Sequence, residues 1–161
     1  MNFAIRRAGL ADLEAIAAAH VDSIRSLGAM YYEADVVRDW AATVSGRLYA
    51  DAMAAGEVFF VAVRPPEAHV LGFSSHRVDD GEHGVSVYVR GEAARRQVGT
   101  ALLRAAEAAA IAAGATSLSI DASLAALDFY KKSGFVEVRR AEHRLASGRA
   151  MPCVVMRKPL R

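Results

Sequence analysis

The stretch from Glu57 to Val89 constrains the architecture most, because there helical periodicity gives way to three β-rich runs joined by short turns. Val58-Phe59-Phe60-Val61-Ala62-Val63 is a continuous branched and aromatic segment stopped by Arg64-Pro65-Pro66, where proline withholds the N–H that a ladder needs. His69 to Val78 follows, and Asp79-Asp80-Gly81 supplies turn chemistry before Gly84 to Val89. Three such runs in succession read as an antiparallel meander.

Helices are legible on both flanks. Phe3 to Arg7 alternates like a strand, and Asp12 is placed to cap a helix whose apolar stripe runs Leu13, Ile16, Ala17, His20, Val21, Ile24. Helical stretches over about 33–43 and 48–55 carry Val36, Val37 and Trp40 and end at Gly56, a residue suited to a left-handed cap. Beyond the meander, Thr100 to Ala113 shows Leu102, Leu103, Ala106 and Ala110 on one side and closes at Gly114. A short strand, Thr116 to Asp121, precedes a helix capped by Ser123 that runs to Lys132. Strands over Phe135 to Arg139 and about Pro152 to Arg157 finish the chain. The order β, α, α, α, β, β, β, α, β, α, β, β predicts a single α/β domain over 1–161, with a mixed, mostly antiparallel sheet covered by helices on both faces.

Composition agrees and excludes several classes. Of 161 residues 53% are hydrophobic and 24% charged, enough apolar content to bury a core and too much for disorder. One cysteine, Cys153, rules out an internal disulfide and any cysteine-rich zinc cage. His69, His76 and His83 are seven apart on different strands or turns, without the tight spacing of a zinc site, so no metal is expected. No apolar run reaches membrane-spanning length and no signal-like start is seen, so a cytoplasmic, membrane-free protein is expected. A net charge of +2 argues against nucleic acid as the main partner, although 17 of the 20 basic residues are arginine, which suits phosphate or carboxylate recognition.

The most informative segment joins a strand to a helix through an arginine-bearing turn. Val87-Tyr88-Val89 leads into Arg90-Gly91-Glu92-Ala93-Ala94-Arg95-Arg96-Gln97-Val98-Gly99-Thr100. The helix that opens there directs its first unpaired N–H groups outward at the positive end of its dipole, a natural anion site. Gly99 lets backbone approach a ligand, and Arg95 and Arg96 add charge-assisted donors. An ordinary capped helix with solvated arginines is the competing reading.

In register and length this segment resembles motif A of the GNAT superfamily of acyl-CoA-dependent N-acyltransferases, where a strand leads into Arg-Gly-x-Gly-x-Gly and a helix. Here Ala94 stands at the arginine and Arg95 and Gln97 at two of the glycines, and Gly99 is retained. Ser123 to Phe135 is similar to the superfamily's second coenzyme A segment, Asn-x-x-Ala-x-x-x-Tyr-x-x-x-Gly-Phe, with Ala126, Tyr130, Gly134 and Phe135 in register. Ile5 to Asp12 and Leu71-Gly72-Phe73 look like further family landmarks. The resemblance implies the GNAT fold and acetyl transfer from acetyl-CoA to a small-molecule or protein amine, directly within a ternary complex.

It also implies roles. The coenzyme would be held by Val87, Tyr88, Val89, Arg95, Arg96, Gln97, Val98, Gly99, Thr100, Ser123, Phe129 and Tyr130. Tyr130 would protonate the departing thiolate, a task open to a phenol with a pKa near 10; a core tyrosine is the alternative reading. A backbone N–H near Val87 to Val89 would hold the oxyanion. The amine's base is open among His76, Glu82, His83 and Asp121, with His76 preferred because imidazole titrates nearest neutrality. His20, Tyr31, Tyr32 and Trp40 form an aromatic group able to line an acceptor pocket, or simply to pack helices on the sheet. A homodimer is expected from the family, and Val154, Val155 and Met156 on a terminal strand offer an edge for pairing. The competing functional class is a GNAT-fold acyl-CoA sensor or interaction module without turnover, which the substituted glycines favour and Tyr130 disfavours.

Overall fold

The three β-rich runs become β2 (Val58–Arg64), β3 (His69–Asp79) and β4 (Glu82–Val89) in a computed structural model that describes residues 1–66 and 68–160. They pair antiparallel, with Phe73 of β3 opposite Val61 on one side and Tyr88 on the other. β1 (Ala4–Arg7), β5 (Ser117–Ser123), β6 (Val136–Arg144) and β7 (Ala150–Pro159) complete a seven-stranded sheet in the order β1-β2-β3-β4-β5-β7-β6. Among the described residues β4 and β5 are the one parallel pair. Their connection is a crossover through α4 (Val98–Ala112), as parallel neighbours require.

Strand alternation sends side chains to two cores. Leu71, Val85 and Val87 face Leu102, Leu103, Ala106 and Ala110 of α4, together with Tyr130 of α5 (Leu127–Lys132). Val61 and Phe73 face the other way, onto Ile16 and Ala19 of α1 (Leu13–Ser26) and Tyr49 of α3 (Gly46–Ala54). A third cluster joins Trp40 of α2 (Ala34–Ala41) to Ile24, Tyr32, Leu145 and Met151. Thus α1 to α3 cover one face, and α4 and α5 the other.

Four sequence expectations shift. α4 begins two residues before Thr100, because the Val98 side chain is buried in the core and draws the first turn inward. Asp12 stands at the start of α1 without capping its amides. Its carboxylate instead takes the Arg6 guanidinium at 2.7 and 2.9 Å and the Gly9 N–H at 2.9 Å, since a charged donor outcompetes neutral ones; the Arg6 bonds hold that carboxyl below its usual range. Ser123 ends β5 and leads into a short 3-10 turn without a capping bond. Finally, β7 is not an edge: it lies between β5 and β6, and Val154 and Met156 are fully buried. The edges are β1 and β6, and β6 carries Glu137, Arg139, Arg140, Glu142, His143 and Arg144, charges of the kind that discourage strand addition.

Candidate active site

A gap in the sheet organises the site. β4 and β5 meet at a single pair, Gly84 opposite Ser119, and then diverge, so the β4 amides beyond that point that turn away from β3 face no neighbouring strand. Tyr130 reaches into the opening from α5, and its hydroxyl accepts the Val87 N–H at 3.1 Å. The phenol is 2% exposed, wedged edge-on between Phe129 and Phe135. Burial raises its pKa well beyond the ordinary phenol value, the Val87 bond opposing only weakly. Tyr130 is therefore neutral, and with its oxygen engaged as acceptor its proton is free to be donated.

Beyond the gap the backbone enters the arginine turn. Arg90 anchors it, its amide donating to Leu71 O and its Nε to Val70 O, both at 2.8 Å, while Gly91 N–H donates to Asp22 Oδ2 at 2.9 Å. Arg95 and Gln97 then adopt φ of 60° and 68°, a left-handed conformation that costs residues with a Cβ about 1–2 kcal/mol. Both side chains are exposed. The two positions where the motif has glycine thus keep the backbone that glycine would favour. At Gly99 the lost side chain matters sterically, since a Cβ would lie 3.2 Å from the Phe129 ring. Val98 contributes no side chain to this surface, being core, and its amide and those of Gly99 and Thr100 form the first turn of α4.

On the opposite face of the sheet the gap opens into a cavity of about 470 Å³. Its lining includes His20, Trp40, Arg77, Ser86, Tyr88 and Asp121. Ser123, His143 and Cys153 also border it. Tyr88 points here rather than toward the arginine turn, lying 4.0 Å from the His20 ring centroid and 6.4 Å from Trp40. Burial, chiefly, lifts the Tyr88 hydroxyl to about 12.

The structure separates the sequence candidates. Tyr130, Val87, Val89 and Phe129 converge on the gap, and Arg95, Arg96, Gln97, Gly99 and Thr100 on the turn that follows it. His20, Trp40 and Asp121 line the cavity. His76 does not: Ser74, two residues before it on β3, donates to Leu102 O of α4, so strand alternation places His76 on the α4 side. There it is buried, stacked on His83 and hydrogen-bonded to it at 2.9 Å. Glu82 lies outside the cavity, 3.6 Å from Arg157. Tyr32 is also outside it, its hydroxyl donating to Pro152 O at 2.6 Å and accepting Leu124 N–H at 2.8 Å, and Tyr31 is exposed.

Arg77, Tyr49 and the β6 and β7 contributors were not singled out from the sequence. Arg77 had a signal, because period-two alternation from Phe73 through Ser75 puts it on the cavity face. Tyr49, bonded to His20 Nδ1, and His143 and Cys153 had none, their roles arising only from tertiary contact. Among the described residues no group of three or more His, Cys, Asp or Glu side chains is placed to hold a metal, and no helix is long and apolar enough to cross a membrane.

Comparison with known proteins bears on this geometry. A family model described as an acetyltransferase (GNAT) domain matches residues 29–157. A GCN5-related N-acetyltransferase from Rhodopseudomonas palustris, also described as an aminotransferase of class II, superposes with a TM-score of 0.87 at 28% identity, covering 99% of this chain and 97% of that one. A ribosomal-protein-alanine N-acetyltransferase from Brucella melitensis gives 0.69 at 26% identity, covering 98% and 99%. The PaiA N-acetyltransferase from Thermoplasma acidophilum, solved with coenzyme A, gives 0.79 at 18% identity, covering 99% and 100%. No curated protein matches the chain.

Proposed function

Because the chain belongs to the GNAT acetyltransferase family, we propose that it moves an acetyl group from acetyl-CoA to a primary amine of a small molecule or protein, directly within a ternary complex. The observation that carries this reading is the Tyr130 hydroxyl held on the Val87 N–H inside the β4–β5 gap, between an amide-rich turn on one side and a lined cavity on the other.

The residues present fit the coenzyme. The left-handed backbone at Arg95 and Gln97 and the open first turn of α4 suit a diphosphate, with Arg95 and Arg96 adding charge. Acetyl-CoA, when bound, supplies the acyl group as a thioester. Val89 N–H lies two residues beyond Val87 N–H and shares its direction by strand alternation, which makes it the donor for the carbonyl oxygen as negative charge develops there. Tyr130 holds the proton that the sulfur receives as the carbon–sulfur bond breaks and the carbon–nitrogen bond forms. Asp121, the one carboxylate bordering the cavity among its described lining residues, accepts the proton that the amine nitrogen gives up; it replaces His76 in this role because His76 lies across the sheet. His20 and Trp40 wall the acceptor's body. For self-association the sheet offers its edges β1 and β6, and the charges of β6 favour side-chain pairing over strand addition.

Thermal melting with acetyl-CoA, followed by thiol release over an amine library, tests the reading. A raised melting midpoint together with amine-dependent thiol release is expected. A raised midpoint with no turnover on any amine identifies a non-catalytic acyl-CoA sensor, and no rise at millimolar acetyl-CoA removes the coenzyme altogether.

A further inference from the structure

His20 carries a feature that acetyl transfer leaves unexplained. The residue is 8% exposed and borders the cavity, edge-on to Trp40 and tilted at 37° against Tyr88. Nδ1 is bonded to the Tyr49 hydroxyl, whereas Nε2 is the one buried side-chain nitrogen or oxygen without a hydrogen-bond partner among the described residues. Burial pushes the imidazole pKa down to about 3, so the ring is neutral and carries a single N–H. Which nitrogen bears it follows from counting partners. Were Nδ1–H to donate to Tyr49, the buried Tyr49 proton and the Nε2 lone pair would both be stranded; with Tyr49 donating to Nδ1, only the Nε2–H is.

We propose that this Nε2–H reads the acceptor substrate: the amine belongs to a molecule that also carries a carbonyl-type oxygen, as amide or carboxylate, which accepts the His20 hydrogen bond while the amine faces Asp121. The orientation of the amine rests on the transferase reading above; the binding preference does not. A buried donor left unpaired costs free energy, and a ligand supplying an acceptor recovers it where a plain alkylamine of the same shape cannot. A neutral donor also accepts amide and carboxylate alike, and Arg77 in the same lining favours the carboxylate.

Trp40 is the chain's single tryptophan and its ring lies 6.3 Å from that of His20, so its fluorescence reports occupancy without catalysis. The experiment titrates the protein with amines differing only in the oxygen: 2-phenylethylamine against phenylalanine amide and phenylalanine, and ethylamine against alanine amide and alanine. At least one oxygen-bearing member is expected to bind about tenfold or more tighter than its plain counterpart. His20→Phe is expected to erase that difference by weakening the oxygen-bearing members alone, and His20→Gln, which keeps a donor, to retain part of it. Nitrogen-15 spectra of histidine-labelled wild-type protein are expected to show the Nε2–H tautomer at His20, its proton moving on addition of the oxygen-bearing amine.

Equal affinity within every pair, no binding by any oxygen-bearing amine, or an Nδ1–H tautomer overturns the proposal. Thiol release measured alongside separates the two readings. Oxygen preference without turnover removes the transferase and keeps the His20 contact; turnover without preference does the reverse.

Discussion

Tyr130 serves packing and the proposed proton transfer with the same side chain, its ring filling the core between Phe129 and Phe135 and its hydroxyl holding the Val87 N–H. Tyr130→Phe keeps the ring and removes the proton donor. Its turnover is expected to fall about 100-fold with acetyl-CoA affinity within about twofold, checked by thiol release and calorimetry; an unchanged rate would return Tyr130 to a packing role. His20 makes a second prediction. Its folded pKa of about 3 lies below the roughly 6.5 of an unfolded histidine, so below that pH the unfolded chain binds a proton that the fold excludes. Stability is intact at pH 7 and falls on acidification by about 1.4 kcal/mol per pH unit from this group until the folded pKa is passed. Denaturant titrations at pH 7 and pH 5 should show His20→Phe losing less stability between them than wild type. Tyr130 was legible in the sequence because a spaced motif surrounds it. Tyr49, which sets the His20 tautomer, was not, since nothing local to α3 announces a hydrogen bond to α1.

At the scale of elements, the turn between β4 and α4 keeps a left-handed path through two residues that resist it. Gln97→Val, a branched residue at positive φ, should lower stability by about 1–2 kcal/mol relative to Gln97→Gly. Equal stability in denaturant titrations would show that Gln97 bears no such strain. The motif's outline was readable as strand, turn and helix. Its backbone conformation was not, because Arg95 and Gln97 carry no propensity for positive φ and take it only where β4 and α4 fix both ends. The β6–β7 hairpin shows a similar limit. Ser147-Gly148 supplies turn chemistry between the last two strands, but which of them adjoins β5 depends on the buried side chains of Val154 and Met156 finding the α4-side core.

The whole molecule places chemistry by having two faces. The arginine turn and α5 belong to one side of the sheet, and the cavity lined by His20, Trp40 and Asp121 opens on the other. This division, invisible in a list of polar residues, separates Asp121 from His76. Asp121→Asn is expected to reduce kcat by about 100-fold or more, while His76→Asn leaves in place the acidic limb of the pH–rate profile, where protonation silences the base; the reverse pattern would move the base across the sheet. The order of elements was legible because each change of periodicity is local. The β4–β5 divergence was not, because it depends on α5 delivering a tyrosine hydroxyl to a strand amide 43 residues away in the chain.

Amide hydrogen exchange with and without acetyl-CoA tests the gap and its turn together. Protection is expected at Val87 to Val89 and at Arg95 to Thr100, with α1 to α3 unchanged. Exchange at both segments unaltered by millimolar acetyl-CoA would contradict the placement of the thioester between β4 and β5.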